Sequence, residues 1–363
     1  MFASLGYVDE LIEAANRGDE NVRLKVGVDG TAVEQVAQET FPGADSVVVH
    51  EDSMAGDGGV TYTFTIPETD ARYVAKFAPD DATSLVKGAG MYRALAKVAR
   101  LPVPAVYAVE RDPSVVDVPY SIVEYVPGDE LTSISQFKSF SRDTKRTLVR
   151  EMGRTLGLLH SETRFDYYGD VAVSQAGNLR VDSGVTDWRN YYREEYTSNL
   201  DDGSGSPVDD LAERATDCFA DAAADIEPDT GPVLLHGDFT PDNLIFEDNR
   251  VRAVLDWEHA TAGCRAKEAW EVEEAIVNLF TSERVRADLR EALWSGYAET
   301  ASVTENFRAM KDLFAIGAVT RVGRVHAACS DVVEDLDEEE FRVRAERELE
   351  RRLRRIGVGS SPW

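Results

Sequence analysis

Three hard oxygen donors stand close together in two neighbouring segments, LLHGDFTPDNLIF (234–246) and VRAVLDWE (251–258). They are Asp238, Asn243 and, beyond a short hairpin, Asp256. Asn and Asp oxygens suit Mg²⁺. The spacing Asp-x₄-Asn is that of a catalytic loop for phosphoryl transfer, and Asp256 stands where the second metal-holding acid belongs. That reaction asks little covalent help of a protein. It needs a carboxylate beside the acceptor hydroxyl and oxygen ligands that hold a metal on the phosphates. Apolar residues frame both ends of the loop, with Val233, Leu234 and Leu235 leading in and Leu244, Ile245 and Phe246 leading out. The polar groups are therefore expected on a tight turn between two buried strands. His236 reads as a structural pin for that turn. The five histidines form no HxH or HExxH pattern, which argues against zinc.

The elements that would position these groups fall into two lots. Residues 5–17 read as a helix. Three strand-like runs follow, at 45–52, 60–67 and 72–79, the second alternating Val60, Tyr62, Phe64 and Ile66 against threonines. SMAGDGG (53–59) is a glycine-rich turn between the first two. A helix over 84–98 and two more strands, 101–112 and 119–128, complete a five-stranded antiparallel sheet with an inserted helix. Past Pro127-Gly128 the periodicity becomes helical, at 148–162, 186–200, 206–226, 266–280, 283–299, 304–329 and 337–356. The expected architecture is α+β and bilobal, with a β-rich lobe over 1–125, a helical lobe over 126–363, and ligand in the cleft between them.

Joined together, HGDFTPDN…LDWE resembles the aminoglycoside phosphotransferase family, which includes choline kinase-like members and shares the protein-kinase-like fold. The likeness runs over roughly 45–300. It implies an ATP- and Mg²⁺-dependent phosphotransferase acting on a hydroxyl of a small molecule, aminoglycoside-, choline- or sugar-like. It further implies Asp238 as catalytic base and Asn243 and Asp256 as Mg²⁺ ligands, with Lys76 of VAKF on the nucleotide phosphates. Gly56, Gly58 and Gly59 would form the nucleotide loop, and Glu124 and Val126 would present backbone groups to adenine. Glu258 has two readings, beside the acceptor hydroxyl or in a structural hydrogen bond. Trp188, Tyr191 and Tyr192 at helical spacing read as core.

Two departures stand out. The family's helix glutamate, which orients the strand lysine, is missing: no acid occurs between Asp81 and Glu110. Asp57, Asp80, Asp81 or Asp256 is the expected substitute partner for Lys76. The family's Gly-Asp-Pro…Asp segment has become Gly263-Cys264-Arg265-Ala266-Lys267-Glu268, with Glu268 in place of the second acid. The first departure keeps open an alternative, a nucleotide-binding pseudokinase with a regulatory or interaction role.

Composition narrows the rest. The chain has 363 residues, with 67 Asp+Glu against 39 Lys+Arg and a net charge of −28. Only 8 of the basic residues are lysine. Acid excess spread over the whole chain with scarce lysine points to a salt-rich, halophilic cytoplasm. That field repels nucleic acid. The three cysteines form no CxxC pair, consistent with a reducing compartment. No apolar run has the ~18 residues a membrane span requires, and residues 1–22 lack an apolar signal core. A soluble, cytoplasmic protein is expected. The stripe Phe341/Ala345/Leu349/Leu353/Ile356 in the tail is expected to pack on the helical lobe or to join a second protomer as a homodimer.

Overall fold

In the computed structural model the described residues are 28–50, 54–56, 59–78, 82–98, 100–130, 134–174, 176–202, 205–277, 282–321 and 338–356. The expected helix over 5–17, Gly58, the acids Asp57, Asp80 and Asp81, and Cys329 lie outside them.

Among the described residues the first element is a helix absent from the sequence expectation, α1 (Gly30–Thr40). Asp29 caps it, its carboxylate accepting from the N–H groups of Thr31 and Ala32 at 2.9 and 3.1 Å. Val33, Val36 and Ala37 form its buried face against the sheet. The strands are β1 (Val48–Val49), β2 (Met54–Gly56), β3 (Gly59–Ile66), β4 (Ala71–Phe77), β5 (Val106–Glu110) and β6 (Tyr120–Glu124), with α2 (Ala82–Val98) inserted after β4. All pairings in this sheet are antiparallel, in the order β1-β3-β4-β6-β5, and β2 also pairs with β3. The sheet thus has six strands where five were expected. The run expected at 45–52 contributes only Val48–Val49, and part of the supposed glycine turn is the strand β2. Gly56 and Gly59 are the pair opposite each other at the end of that hairpin where residues 57 and 58 join its strands.

The pleat decides where the lysine goes. Tyr73, Ala75 and Phe77 are buried on one face of β4. Lys76, between two of them, points to the opposite face.

Beyond β7 (Asp129–Glu130) the chain is mainly helical: α3 (Ile134–Ser139), α4 (Arg142–Glu162), α5 (Trp188–Asp202), α6 (Asp209–Ala223), α7 (Arg265–Val277), α8 (Glu283–Tyr297), α9 (Glu305–Gly317) and α10 (Glu338–Arg355). Two small sheets are set among them. One orders β10 (Val233–Leu235), β13 (Thr261–Gly263), β8 (Gly169–Val173) and β9 (Leu179–Val181). The other orders β12 (Arg250–Val254), β11 (Leu244–Glu247) and β7. The helix expected over 304–329 ends as an α-helix at Gly317 and continues as a 3₁₀ turn, Ala318–Arg321.

The α4/α8 pair is the tightest helix crossing. A Cβ on Gly153 would sit 2.0 Å from the Leu293 carbonyl, and one on Gly296 1.9 Å from that of Arg150. Backbone meets backbone there, so the helices would have to part to admit any side chain. Gly296→Ala should lower unfolding stability by about 1–3 kcal/mol, as overpacking does. A denaturant midpoint equal to wild type would show that the helices separate at no cost.

Trp188, Tyr192 and Tyr196 of α5 are buried against Phe219 and Phe314, so Trp188 and Tyr192 are core as expected, while Tyr191 is half-buried at its edge. The tail stripe is filled within the chain: Phe341, Ala345, Leu349 and Leu353 bury against Val208, Leu211, Ala215, Ile316 and Val319. Of its two expected destinations, the helical lobe is the one it takes.

Candidate active site

The loop after β10 carries Asp238 and is built from backbone outward. Gly237 has φ +86°, and a Cβ there would lie 2.4 Å from the His259 carbonyl. Glycine is the residue that accepts both conditions. His236, fully buried, joins two loops. Its Nε2 donates to the Leu255 carbonyl at 2.6 Å, so Nδ1 is free to accept the Asp238 N–H at 3.2 Å. One neutral tautomer satisfies both bonds. His236 is thus the structural pin expected of it, with one bond to a carbonyl and one to the Asp238 amide.

Asn243 ends a short 3₁₀ turn, Pro241–Asn243. Its Nδ2 donates to the Asp238 main-chain oxygen and to Asp238 Oδ2, both at 2.9 Å, and to Thr240 Oγ1 at 3.3 Å. The amide nitrogen is thereby spent inside the loop, which orients Oδ1 as the side chain's remaining donor atom. The Asn243 carbonyl accepts the Leu255 N–H at 2.9 Å, tying this loop to the next acid. Asp256 adopts the left-handed conformation, φ 52° and ψ 67°, which Asp tolerates better than most side chains. The 3₁₀ turn Trp257–His259 follows, anchored by buried Trp257, whose Nε1 donates to the Val254 carbonyl at 3.0 Å.

Lys76 reaches across from β4. Its Nζ lies 3.5 Å from Asp256 Oδ1 and 3.6 Å from Glu258 Oε2. Asp256 is therefore one of the expected substitute partners, and Glu258 is a second that the sequence reading had assigned elsewhere. Glu124 ends β6; its N–H donates to the Ala105 carbonyl at 2.8 Å and its Oε2 accepts the Ala105 N–H at 3.1 Å. The Tyr125 N–H donates to the Arg72 carbonyl at 3.2 Å. This fixes the segment that carries Glu124 and Val126 to the strand that carries Lys76. Gly59 is buried, and a Cβ on it would meet the Phe77 carbonyl at 2.6 Å. Close strand approach alone accounts for glycine there.

Sequence reasoning gave too little weight to a buried support beneath the loop. Glu268 of α7 accepts the Gly237 N–H at 2.7 Å through Oε1, and its Oε2 meets His160 Nε2 at 2.9 Å. His160 Nδ1 lies 3.0 Å from the Tyr297 hydroxyl, which accepts from Arg265 at 3.2 Å. With Nε2 donating to the carboxylate, Nδ1 accepts from Tyr297 and the chain of bonds closes. The signal in the sequence was Glu268 itself; its partner His160 sits over a hundred residues away in an ordinary helical pattern.

Burial holds both His160 and His236 below the ordinary histidine value of 6.5. A lowered histidine contributes stability that is complete above about pH 6.5 and lost as pH falls through it, because the unfolded chain takes up the proton first. Unfolding stability should thus fall by up to about 1.4 kcal/mol per pH unit for each histidine below that point. A denaturant midpoint unchanged from about pH 7 to about pH 5 would contradict neutral burial of the pair.

The arrangement sets a strand lysine against a loop carboxylate, with a second loop carboxylate bonded to an Asn. The sequence model of the phosphotransferase enzyme family matches residues 55–313, and the chain belongs to that family. Among solved structures, aminoglycoside phosphotransferase APH(4)-Ia in ternary complex with AMP-PNP and hygromycin B is similar at 14% identity and a TM-score of 0.62, covering 91% of this chain and all of the other. A candidate aminoglycoside phosphotransferase from Ralstonia eutropha aligns at 20% identity and a TM-score of 0.59, over 90% of this chain and 98% of its own. At such identities the likeness establishes the fold, the bilobal protein-kinase-like one. Two curated relatives are named for acyl-CoA dehydrogenation. IBR3 of Arabidopsis thaliana is 22% identical over 72% of this chain, and acyl-CoA dehydrogenase family member 10 of Mus musculus 29% identical over 46%. The matches span only 31% and 14% of those proteins' lengths. No helix among the described residues is long and apolar enough to cross a membrane.

Proposed function

We propose that the protein transfers the γ-phosphoryl group of ATP to a hydroxyl of a small molecule, with Asp238 beside that hydroxyl as base. Residues up to 125 form the lobe over the nucleotide, and residues from 126 the lobe that holds the acceptor. The carrying observation is the meeting of Lys76 with Asp256 across the cleft, next to an Asn243 whose amide nitrogen is already engaged on Asp238.

The donor set fits Mg²⁺. Asn243 Oδ1 and the Asp256 carboxylate are hard oxygens. Among the described residues no three His, Cys, Asp or Glu side chains gather into a closed metal cage, and a Mg²⁺ shared with nucleotide phosphates and water requires none. When bound there, Mg²⁺ would neutralise phosphate charge. The chain's own residues do the rest. Lys76 steadies the phosphates, and Asp238, held through its amide by His236 and its carboxylate by Asn243, orients the hydroxyl and takes its proton. The glycine hairpin of Gly56, Gly58 and Gly59 would lie over the phosphates, and the backbone of Glu124 and Val126 beside the base. AMP-PNP and hygromycin B in the APH(4)-Ia complex support a nucleotide and a polyhydroxylated acceptor.

Asp256 tests the metal assignment. Asp256→Asn suits the left-handed turn better than Ala would, so it separates charge from strain. It should weaken ATP binding about tenfold or more with Mg²⁺ present, the scale on which metal sites respond, and much less without it. Equal loss in both titrations would place Asp256 outside the metal site.

A further inference from the structure

Helix α2 faces the turn that follows Asp256 and sends a lysine and a tyrosine to it. From α2, Lys87 Nζ donates to the Ala260 carbonyl at 3.2 Å, and the Tyr92 hydroxyl accepts the Asp256 N–H at 3.3 Å. Two side chains of one helix thus grip both ends of the turn that carries Glu258. Burial draws the Lys87 ammonium below the ordinary lysine range, opposed by the nearby carboxylates of Asp170 and Glu258. Glu258 lies 3.6 Å from Lys76, on a turn whose far end, the Ala260 carbonyl, is held by Lys87.

Lys76 touches two carboxylates, and under the phosphotransferase reading only one stays with it. A carboxylate that ligates a divalent cation is a poor partner for an ammonium at the same oxygens, since sharing it forces two cations together. Under that reading Asp256 is the metal ligand, its turn tied to the Asn243 loop by the Leu255 N–H, which leaves Glu258. We propose that Glu258 is the positioning residue for Lys76, supplying from the C-terminal lobe the ion pair that the helix of the N-terminal lobe does not provide, with Lys87 of α2 steadying, through the Ala260 carbonyl, the turn that carries Glu258. The inversion is internally consistent. Moving the acid onto the turn calls for a cation on the helix above it, and α2 carries no acid to compete for Lys76.

A double-mutant cycle on nucleotide binding decides this, using the full chain and calorimetric titration with Mg²⁺ and AMP-PNP. Glu258→Gln should weaken binding about tenfold in the wild-type background and less than about twofold in Lys76→Ala, the coupling expected of contacting residues. Glu258→Asp, which keeps the charge on a shorter arm, should fall between wild type and Glu258→Gln. Lys87→Gln should weaken binding about twofold to fivefold alone and add nothing to Glu258→Gln. Equal losses from Glu258→Gln in both backgrounds would overturn the positioning role while leaving the phosphotransferase reading intact. Wild-type protein that binds no nucleotide would sink that reading, and the positioning role with it.

Discussion

Asp238→Ala should lower kcat by about 10²-fold or more with little change in ATP binding, the range of positioned proton transfer. The structure explains why binding should survive. Asn243 loses one of three acceptors, Asp238 Oδ2, but keeps the main-chain oxygen of residue 238 and Thr240 Oγ1. The Asn243 side chain therefore stays in place when the carboxylate goes. Steady-state kinetics with a separate nucleotide titration would show the split. Product formation at the wild-type rate would remove Asp238 from the chemistry.

The second large effect is on folding. Glu268→Ala removes the acceptor of the Gly237 N–H and the partner of His160 Nε2 at a site only 2% exposed. Leaving two buried donors unpaired costs about 1–3 kcal/mol each, so a loss of about 3 kcal/mol or more is expected. Activity of the folded fraction should also fall, because Gly237 immediately precedes Asp238. Glu268→Gln retains an acceptor for Gly237 and should lose less stability. A Glu268→Ala protein within about 1 kcal/mol of wild type would mean the loop holds itself.

These two residues mark how far the sequence could be read. Asp238, Asn243 and Asp256 were legible because their spacing is local and the apolar runs around them define the loop. Lys76 was legible through the resemblance carried by its VAKF motif, and the pleat of β4 then sets it on the face opposite Tyr73, Ala75 and Phe77. The roles of Glu258, Lys87 and His160 were not, because each depends on which distant element lies opposite. Lys87 carried no signal in the sequence, and its place follows from α2 lying against the 256–260 turn. Helix α1 was passed over although its signals were present: an Asp29 cap and Val33, Val36 and Ala37 at helical spacing. The short extent of β1 was beyond local pattern, since an apolar run does not say how many of its residues find a partner strand.

Glu258 also shows how a missing motif residue can mislead. Without an acid on α2 the chain had a case for binding nucleotide and doing nothing to it. With Lys76 held by carboxylates of the opposite lobe, that case loses its main support.

The central claim is phosphoryl transfer at Asp238, and label transfer from [γ-³²P]ATP tests it most directly. The full chain, with Mg²⁺ and a panel of metabolite alcohols, sugars and aminoglycosides, would be assayed at low and high salt beside Asp238→Ala. The account predicts a labelled phosphate ester from at least one alcohol with wild-type protein, strongly reduced with the variant. Nucleotide bound by the wild type but returned intact from every mixture, at every salt concentration, would contradict it and make the protein a nucleotide-binding pseudokinase.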